Sequence, residues 1–273
     1  MTDIQKGIKY LAIGFAIFLI VMIFSGILGG LSILSYVFDN NENTQTTELS
    51  SYSVKGDISV LDVEIAAADF EIKHGDSLSV SSNHEYLKIE EHGNTLEIKE
   101  TKRPFTNYNK EFSVVLYLPD DAEFSKVAVE TGAGRVRVEG LKADELDFIL
   151  GAGEVDLNDI SVDKDCDIEG GAGTLSIKDS KFNDLDLDIG VGECNIESIL
   201  EGETDINCGV GSTAINLVTT DSVDYQIAVE KAIGKCTIDG DEIKNGAVFG
   251  TGDNKVNIEC GVGDVSVNFV NKI

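Results

Sequence analysis

Short runs of alternating apolar and polar residues fill the chain from residue 129 onwards, and Gly-Xaa-Gly corners join them. The phrase occurs seven times, in the cores TGAGRVRV, LGAGEVDL, GGAGTLSI, IGVGECNI, CGVGSTAI, KAIGKCTI and CGVGDVSV. The first five copies repeat every 19 or 20 residues. Units this regular bury their apolar faces by stacking on each other, so the pattern predicts an all-β, single-stack β-solenoid with β-helix-like coils of about 19–20 residues. The predicted structural corner glycines are Gly132, Gly134, Gly151, Gly153, Gly171, Gly173, Gly190, Gly192, Gly209, Gly211, Gly234, Gly261 and Gly263.

The alternation also predicts which side chains face the core. Leu185, Leu187 and Ile189 are separated by Asp186 and Asp188, the period-two pattern of half-buried strands with an acidic outer face. Through each corner the inward phase slips by one residue. We therefore predict a β-bulge at each corner, in which the middle residue faces inward and the next glycine supplies a positive φ. On this interpretation the glycines serve geometry rather than ligand binding.

An uncharged, mostly apolar stretch occupies residues 10–38. About 20 residues span a bilayer as a helix, so this stretch predicts a transmembrane helix. A cleaved signal peptide would need a shorter apolar region and a small-residue cleavage site, and the sequence has neither. Because Lys6 and Lys9 precede the stretch, the positive-inside rule predicts a cytoplasmic tail at 1–9 and a single-pass cell-membrane protein whose remainder is extracytoplasmic.

The polar residues 39–54 have the composition of a flexible linker. Residues 55–273 are predicted to form one extracytoplasmic β-strand-repeat domain, with a cap and opening strands at 55–121 and the corner repeats at 122–273. A separate small sandwich at 55–121 is the alternative. Within the opening part, Ala66–Ile72 has the pattern of a first corner with alanines in place of glycines.

The repeat becomes less regular near its carboxyl end, where the interval between second corner glycines grows to 23 and then 29 residues. The segment Gly240–Lys255 is therefore predicted to be a loop or hairpin insertion, a feature that often lies on a working face of a repeat protein. The sixth copy also lacks one corner glycine, and Lys231 takes an inward-phase position there. This combination predicts a distorted coil.

The formal net charge is −28, and it is carried by the predicted outer part. Residues 1–38 contain Asp3, Lys6 and Lys9, a net +1, so the remainder carries −29. Such a surface argues against nucleic acid and against anionic lipid headgroups as direct partners. It favours cations and basic peptides.

The five cysteines all fall in inward phase and are predicted to be buried free thiols. With coils stacked in sequence order, Cys208 and Cys260 would be two coils and about 9–10 Å apart, too far for a disulfide. A bridge between Cys194 and Cys208 is the remaining alternative.

The three histidines lie near turns and are interpreted as surface-loop residues, although they could gather into a site. The histidines are His74, His84 and His92, and the five cysteines are Cys166, Cys194, Cys208, Cys236 and Cys260.

The run VVLYLPDDAEFSKVAVETGAGRVRVEGLKADELDFILGAGEVDL resembles the bacterial adhesin-like family of β-strand-repeat domains, a family of undefined biochemical function. The resemblance extends from Asp57 to the carboxyl end, and a single amino-terminal anchor suits the family. It implies an all-β repeat fold in the cell envelope and no catalytic residues. Relatives and neighbours of the family also imply a connection with envelope stress and antimicrobial peptides.

Other site chemistries find little support in the sequence. The corners lead into strands and contain neither G-x-G-x-x-G nor G-K-[ST], so nucleotide binding is not expected. Only Asp156 fits a calcium β-roll motif, so a repeated calcium site is not expected. Weak surface binding of calcium by Asp184, Asp186 and Asp188 remains an alternative. No G-x-S-x-G or H-E-x-x-H motif occurs. We therefore expect a protein without catalytic residues, cofactor or built-in metal.

Together these observations predict a membrane-anchored acidic solenoid that works by binding outside the cell. One hypothesis is a surface-binding, adhesive or structural module of the cell envelope. The alternative is an envelope-stress component that binds cationic antimicrobial peptides and signals through a membrane-protein partner. Adhesive contacts made by shape should survive high salt, whereas peptide capture by charge should not.

Overall fold

The computed structural model describes residues 49–101, 112–220 and 223–271, apart from the side chain of Lys231. The predicted helix at 10–38 lies outside these residues. In the described part the chain is all-β, as predicted, and no helix there is long and apolar enough to cross a membrane. The strands are β1 (Ser50–Ser53), β2 (Val60–Ala67), β3 (Asp69–His74), β4 (Ser79–Ser82), β5 (Leu87–His92), β6 (Thr95–Glu100), β7 (Ser113–Leu118), β8 (Phe124–Asn183), β9 (Leu185–Glu201), β10 (Glu203–Thr219), β11 (Tyr225–Ile233), β12 (Cys236–Ile238), β13 (Asp241–Glu242), β14 (Ala247–Gly250) and β15 (Asn254–Asn271).

Parallel, in-register pairing between successive coils builds the predicted solenoid. β2 and β3 form the first coil, β8 runs through the following coils, and β9 and β10 continue the stack. Residues at equivalent places in the repeat pair directly, for example Ile206 with Leu187 and Leu187 with Ile168. The inward side chains merge into one apolar core whose largest fully buried members include Phe70, Phe148 and Phe182.

The carboxyl-terminal coils are not stacked in sequence order, contrary to our expectation. β15 lies between β10 and β11, with Asn207 paired to Glu259 and Glu259 paired to Glu230. The segment Gly240–Lys255 makes this exchange possible. It contains β13 and β14, which run antiparallel to β12 and β11, and β14 forms the last strand of the sheet. The chain therefore passes beyond the end of the stack and returns to fill the place next to β10.

Antiparallel strands cover the other end of the stack. β1 pairs with β4, β4 with β7, and β5 with β6. Ser50–Ser53, which we predicted to be linker, thus belongs to the folded domain. Glu100 provides hydrogen-bond acceptors for the backbone of the alanine-containing first corner. Its Oε2 accepts hydrogen bonds from the amides of Ala66 at 2.9 Å and Ala67 at 3.4 Å.

His84 is a core residue rather than a surface-loop histidine, so that prediction is wrong for this position. Its side chain is fully buried, with Nε2 3.5 Å from Glu100 Oε1. The ring stacks on Phe112 with centroids 4.0 Å apart. This burial could not be predicted from the local sequence, because Glu100 and Phe112 come from other segments of the chain.

The corners hold the closest backbone approaches between coils. At Gly192, φ is +151° and a Cβ atom would collide with the carbonyl oxygen of Gly173. At Gly190, a Cβ atom would collide with the carbonyl oxygen of Gly171. Both contacts recur from coil to coil. Where two glycine corners stack, the first glycine is thus required by space alone, and the second by space and by a backbone conformation that side chains rarely adopt.

The predicted β-bulge with an inward middle residue is wrong. The middle residues Val210, Val262 and Ile233 are 41%, 44% and 67% exposed. Pairing also continues one residue to one through the corner, as for Val210 with Val191. All coils bend at the same place, and this bend accounts for the one-residue slip of the inward positions. The middle side chain of each corner projects from the outer side of the bend.

Candidate binding surface

The strand segments that precede the corners present a surface of stacked carboxylates. Asp167 pairs with Asp186, and Asp186 pairs with Asp205 in the next coil. A second row lies two residues further along each strand, where Glu169 pairs with Asp188. Paired strands are about 4.8 Å apart, so each row repeats its charge at that interval. We call this surface the acidic face; it comprises Asp147, Asp167, Asp186, Asp205, Glu169, Asp188, Glu259 and Glu230.

The charges of the acidic face repel each other. Partial desolvation and then the neighbouring carboxylates raise the pKa of Asp186, and the same causes raise that of Asp167, where the charge of Lys126 offsets part of the effect. Among the described side chains, no lysine or arginine forms an ion pair with the row from Asp147 to Asp205. One neutral donor is present, since Asn257 Nδ2 donates to Asp205 Oδ1 at 2.9 Å.

The strand segments that follow the corners form a second surface, which carries arginine and amide side chains as well as carboxylates. Arg135 Nε donates to Glu154 Oε2 at 2.9 Å, and Arg137 lies 4.0 Å from the carboxylate of Asp156. Further along the stack, Asn268 Nδ2 donates to Asn216 Oδ1 at 3.2 Å. We call this surface the mixed face; it comprises Arg135, Arg137, Glu139, Glu154, Asp156, Glu193, Asn195, Glu197, Asn216 and Asn268.

An apolar ridge separates the two faces near the carboxyl end of the stack. Val191 pairs with Val210, Val210 with Val262, and Val262 with Ile233, each the middle residue of a corner. Three of them are more than two-fifths exposed. This corner ridge, made of Val191, Val210, Val262 and Ile233, is therefore an apolar strip beside the carboxylates.

An open groove of about 800 Å³ lies where the acidic face reaches the corners. Its wall includes Asp188, Glu230 and Glu259 of the acidic face, together with Cys208 and Cys260. The sequence did not predict this groove, because it depends on the exchanged order of the last coils.

The described residues contain one group whose geometry could hold a metal ion. Ligand atoms of Glu90, His92 and Glu97 on the β5–β6 hairpin lie within 4.8 Å of one another. Both carboxylates already have lysine partners, Lys88 at 2.7 Å from Glu90 and Lys99 at 2.7 Å from Glu97. These hydrogen bonds lower the pKa of both glutamates. The group is thus neutralised by its own hairpin.

The residues singled out in the sequence do not form a single site. The corner glycines stack on one another along the bend. Asp184 occupies a turn at φ +47°, where its Oδ1 accepts a hydrogen bond from the Glu203 amide at 2.9 Å, so it is separate in role from Asp186 and Asp188. The histidines have different neighbours, Asp120 for His74, Glu100 for His84 and Glu90 for His92.

The fold and its surfaces define a β-solenoid repeat domain with an acidic outer face. The Toastrack DUF4097 family matches residues 61–272, and the chain belongs to this family. None of the curated proteins matches the chain.

Several solved structures are similar to this chain at low sequence identity. A "putative adhesin" from Parabacteroides distasonis is 16% identical, with a TM-score of 0.45 over 82% of this chain and 97% of that one. A "putative lipid binding protein" from the same species is also 16% identical, with a TM-score of 0.41 over 82% and 97%. A "putative cell adhesion protein" from Clostridium sporogenes is 14% identical, with a TM-score of 0.37 over 82% and 99%.

Proposed function

We propose that this protein is a membrane-anchored, non-enzymatic adhesive or structural module of the bacterial cell envelope, whose acidic face contacts a positively charged partner outside the cell. The observation that carries the proposal is the row of carboxylates from Asp147 to Asp205, none of which has an ion-pair partner among the described side chains. A cationic partner would relieve their mutual repulsion on binding. The adhesin-like family supports a binding role in general.

The arrangement of the acidic face favours binding by an extended surface. Its carboxylates are held on hydrogen-bonded strands, so little backbone order has to be gained on binding. Their regular spacing of about 4.8 Å presents several charges to one partner at once. Opposite charges across such a contact accelerate association, and their attraction weakens as the salt concentration increases.

The anchor and the outer location belong to the same proposal. The uncharged residues 10–38 with Lys6 and Lys9 before them support an amino terminus in the cytoplasm. A protease added to intact cells should remove a carboxyl-terminal epitope tag and leave an amino-terminal tag intact. Protection of both tags until the cells are lysed would contradict the outer location.

A second candidate function is capture of cationic antimicrobial peptides as part of an envelope-stress response. It is favoured by the corner ridge, because an amphipathic peptide carries apolar and basic residues that would match the ridge and the acidic face together. In this function the signal would pass to a membrane-protein partner.

Calorimetry can test both candidates on residues 39–273, whose described part is one compact unit with its own core. The probes are a lysine-rich amphipathic peptide, a lysine-rich peptide without apolar residues, and a neutral peptide. We expect both basic peptides to bind the parent protein and the neutral peptide to give no heat. Changing Asp147, Asp167, Asp186 and Asp205 to Asn should abolish this binding.

The matched control makes the same charge change on the mixed face, with Glu139, Glu193 and Glu197 changed to Gln and Asp156 to Asn. It should retain binding. Equal loss in both variants would mean that only net charge matters, which contradicts a docking face. Selective, salt-resistant binding of the amphipathic peptide supports peptide capture, whereas equal binding of both basic peptides supports the general adhesive surface.

A further inference from the structure

Two buried cysteines become neighbours because β15 is inserted beside β10. Cys208 and Cys260 are paired residues of these adjacent parallel strands. They are 6% and 4% exposed. The strand separation of about 4.8 Å falls within the Cα–Cα range of disulfides, about 4.4–6.8 Å. The expectation that these two residues lie too far apart to be bridged is therefore wrong.

The surroundings of the two thiols differ from those of an ordinary core cysteine. Both residues border the open groove at the end of the acidic face, and neither is completely buried. Thr213 Oγ1 lies 3.0 Å from Cys208 Sγ and donates a hydrogen bond to it. By contrast, Cys166 is fully buried and does not line the groove.

We infer that Cys208 and Cys260 form a reversible disulfide site, oxidised by exchange with a small disulfide or a disulfide-bearing oxidoreductase that reaches them through the groove. Cys208 is the first nucleophile, because the Thr213 hydroxyl stabilises its thiolate. The thiolate attacks one sulfur of the oxidant, forms a mixed disulfide and releases one thiol. Cys260 then attacks Cys208 Sγ and releases the second thiol. The two cysteine protons end on the released thiols, and the oxidant's disulfide accepts the two electrons.

The strand geometry makes this bond easy to reduce. Side chains of paired residues in parallel strands point the same way, so their Cβ atoms begin nearly as far apart as the strands. A disulfide prefers a Cβ–Cβ distance of about 3.5–4.5 Å, and closing the gap strains the bond. Burial raises the pKa of both thiols, which slows exchange at neutral pH. The site therefore responds to a strong or sustained change in redox conditions.

The bond would fasten the exchanged coil. β15 is held between β10 and β11, and β11 with the edge strand β14 completes that end of the stack. Joining Cys208 to Cys260 closes a long loop in the unfolded chain and ties β15 to β10 directly. Oxidation should therefore stabilise the carboxyl-terminal end against opening.

The test uses the full-length chain in detergent, incubated with oxidised glutathione at mildly alkaline pH, both folded and during refolding. Non-reducing peptide mass spectrometry should find the peptides of Cys208 and Cys260 joined, with the loss of two hydrogen atoms, and dithiothreitol should separate them. Cys208→Ser and Cys260→Ser should each abolish the link, and Cys166→Ser should retain it. The oxidised parent should also resist proteolysis within β11–β15 longer than the Cys260→Ser variant.

The proposal stands if the link between Cys208 and Cys260 is the main product of the folded arm, and a link that forms only during refolding would contradict the approach through the groove. It is overturned if both arms yield mainly a bridge between Cys194 and Cys208, mainly single glutathione adducts, or unreacted thiols.

Discussion

The acidic face and the mixed face are built from the same coils, yet they treat charge in opposite ways. On the mixed face, Arg135 lies 2.9 Å from Glu154, and amide side chains continue the row. On the acidic face, Asp167, Asp186 and Asp205 stack directly, and partial desolvation together with the neighbouring carboxylates raises the pKa of Asp186. Parallel strand pairing is present on both sides of the corner. The solenoid can therefore place an arginine beside a carboxylate of the next coil. On the acidic face, no described lysine or arginine forms an ion pair with the row from Asp147 to Asp205.

Unbalanced charge of this kind reduces the stability of the fold. Like charges in directly paired positions are destabilising, and alternative residues such as asparagine already occur at 207 and 257 in the same rows. Departures from local stability rules are concentrated at functional sites. The difference between the two faces thus argues that the acidic face, rather than the mixed face, meets a partner.

The largest expected effect concerns the corner that keeps the two faces apart. Gly192→Ala places a Cβ atom against the carbonyl oxygen of Gly173 at φ +151°. We expect a loss of about 3 kcal/mol or more in the free energy of unfolding, measured by urea denaturation of residues 39–273. Gly240→Ala is the control, because that glycine also has positive φ, +83°, but has no atom within 4 Å of the added Cβ. A similar loss in both variants would show that close packing of coils is not the cause.

The repeat made the fold predictable from the sequence, whereas the order of the last coils was not. Alternation of residues such as Leu187 and Asp188 depends only on local strand geometry, and the regular spacing of corners requires stacking. The position of β15 depends on a competition between two parallel neighbours for β10. Sequence periodicity is identical for either order, so the 29-residue interval indicated an insertion without indicating an exchange.

The candidate surface was predictable to a similar extent. Acid at alternate positions predicted an acidic outer face, and the rows of paired aspartates confirm it. The corner ridge was missed because the side on which Val210 projects depends on the direction of the bend. The proximity of Cys208 to Cys260 was missed because it follows from the exchanged coil. Both misses concern contacts between coils, about which a single repeat carries no information.

Neutralising the main row of the acidic face should have the next largest effect. The fourfold change of Asp147, Asp167, Asp186 and Asp205 to Asn removes the repulsion between neighbours and retains side-chain oxygens as acceptors. We expect the free energy of unfolding to rise by about 1.5 kcal/mol at neutral pH and low salt, because each directly paired like charge costs a few tenths of a kcal/mol or more. The control is the matched fourfold change on the mixed face, which should bring no gain since Asp156 loses its arginine partner.

The same fourfold variant has a defined pH dependence. A carboxyl whose folded pKa is raised binds its proton more tightly in the folded state, so its destabilising effect appears only as the pH rises above the unfolded value. For Asp167 and Asp186 that value is 3.8. The gain over the parent should therefore be full at neutral pH and vanish below about pH 3.8. A gain that persists in acid would assign the stabilisation to packing or hydrogen bonding.

The smallest expected effect tests the comparison most directly, because it measures one pair from each face. A double-mutant cycle with Arg135→Gln and Glu154→Gln should give a favourable coupling of about 0.5 kcal/mol, the size expected for an exposed ion pair. A cycle with Asp167→Asn and Asp186→Asn should give a coupling of similar size and opposite sign, since these two groups repel each other. Urea denaturation at low and high salt provides both values, and salt should shrink each toward zero. If both cycles gave the same sign, the two faces would not differ in their charge balance, and the case for the acidic face as the binding surface would fail.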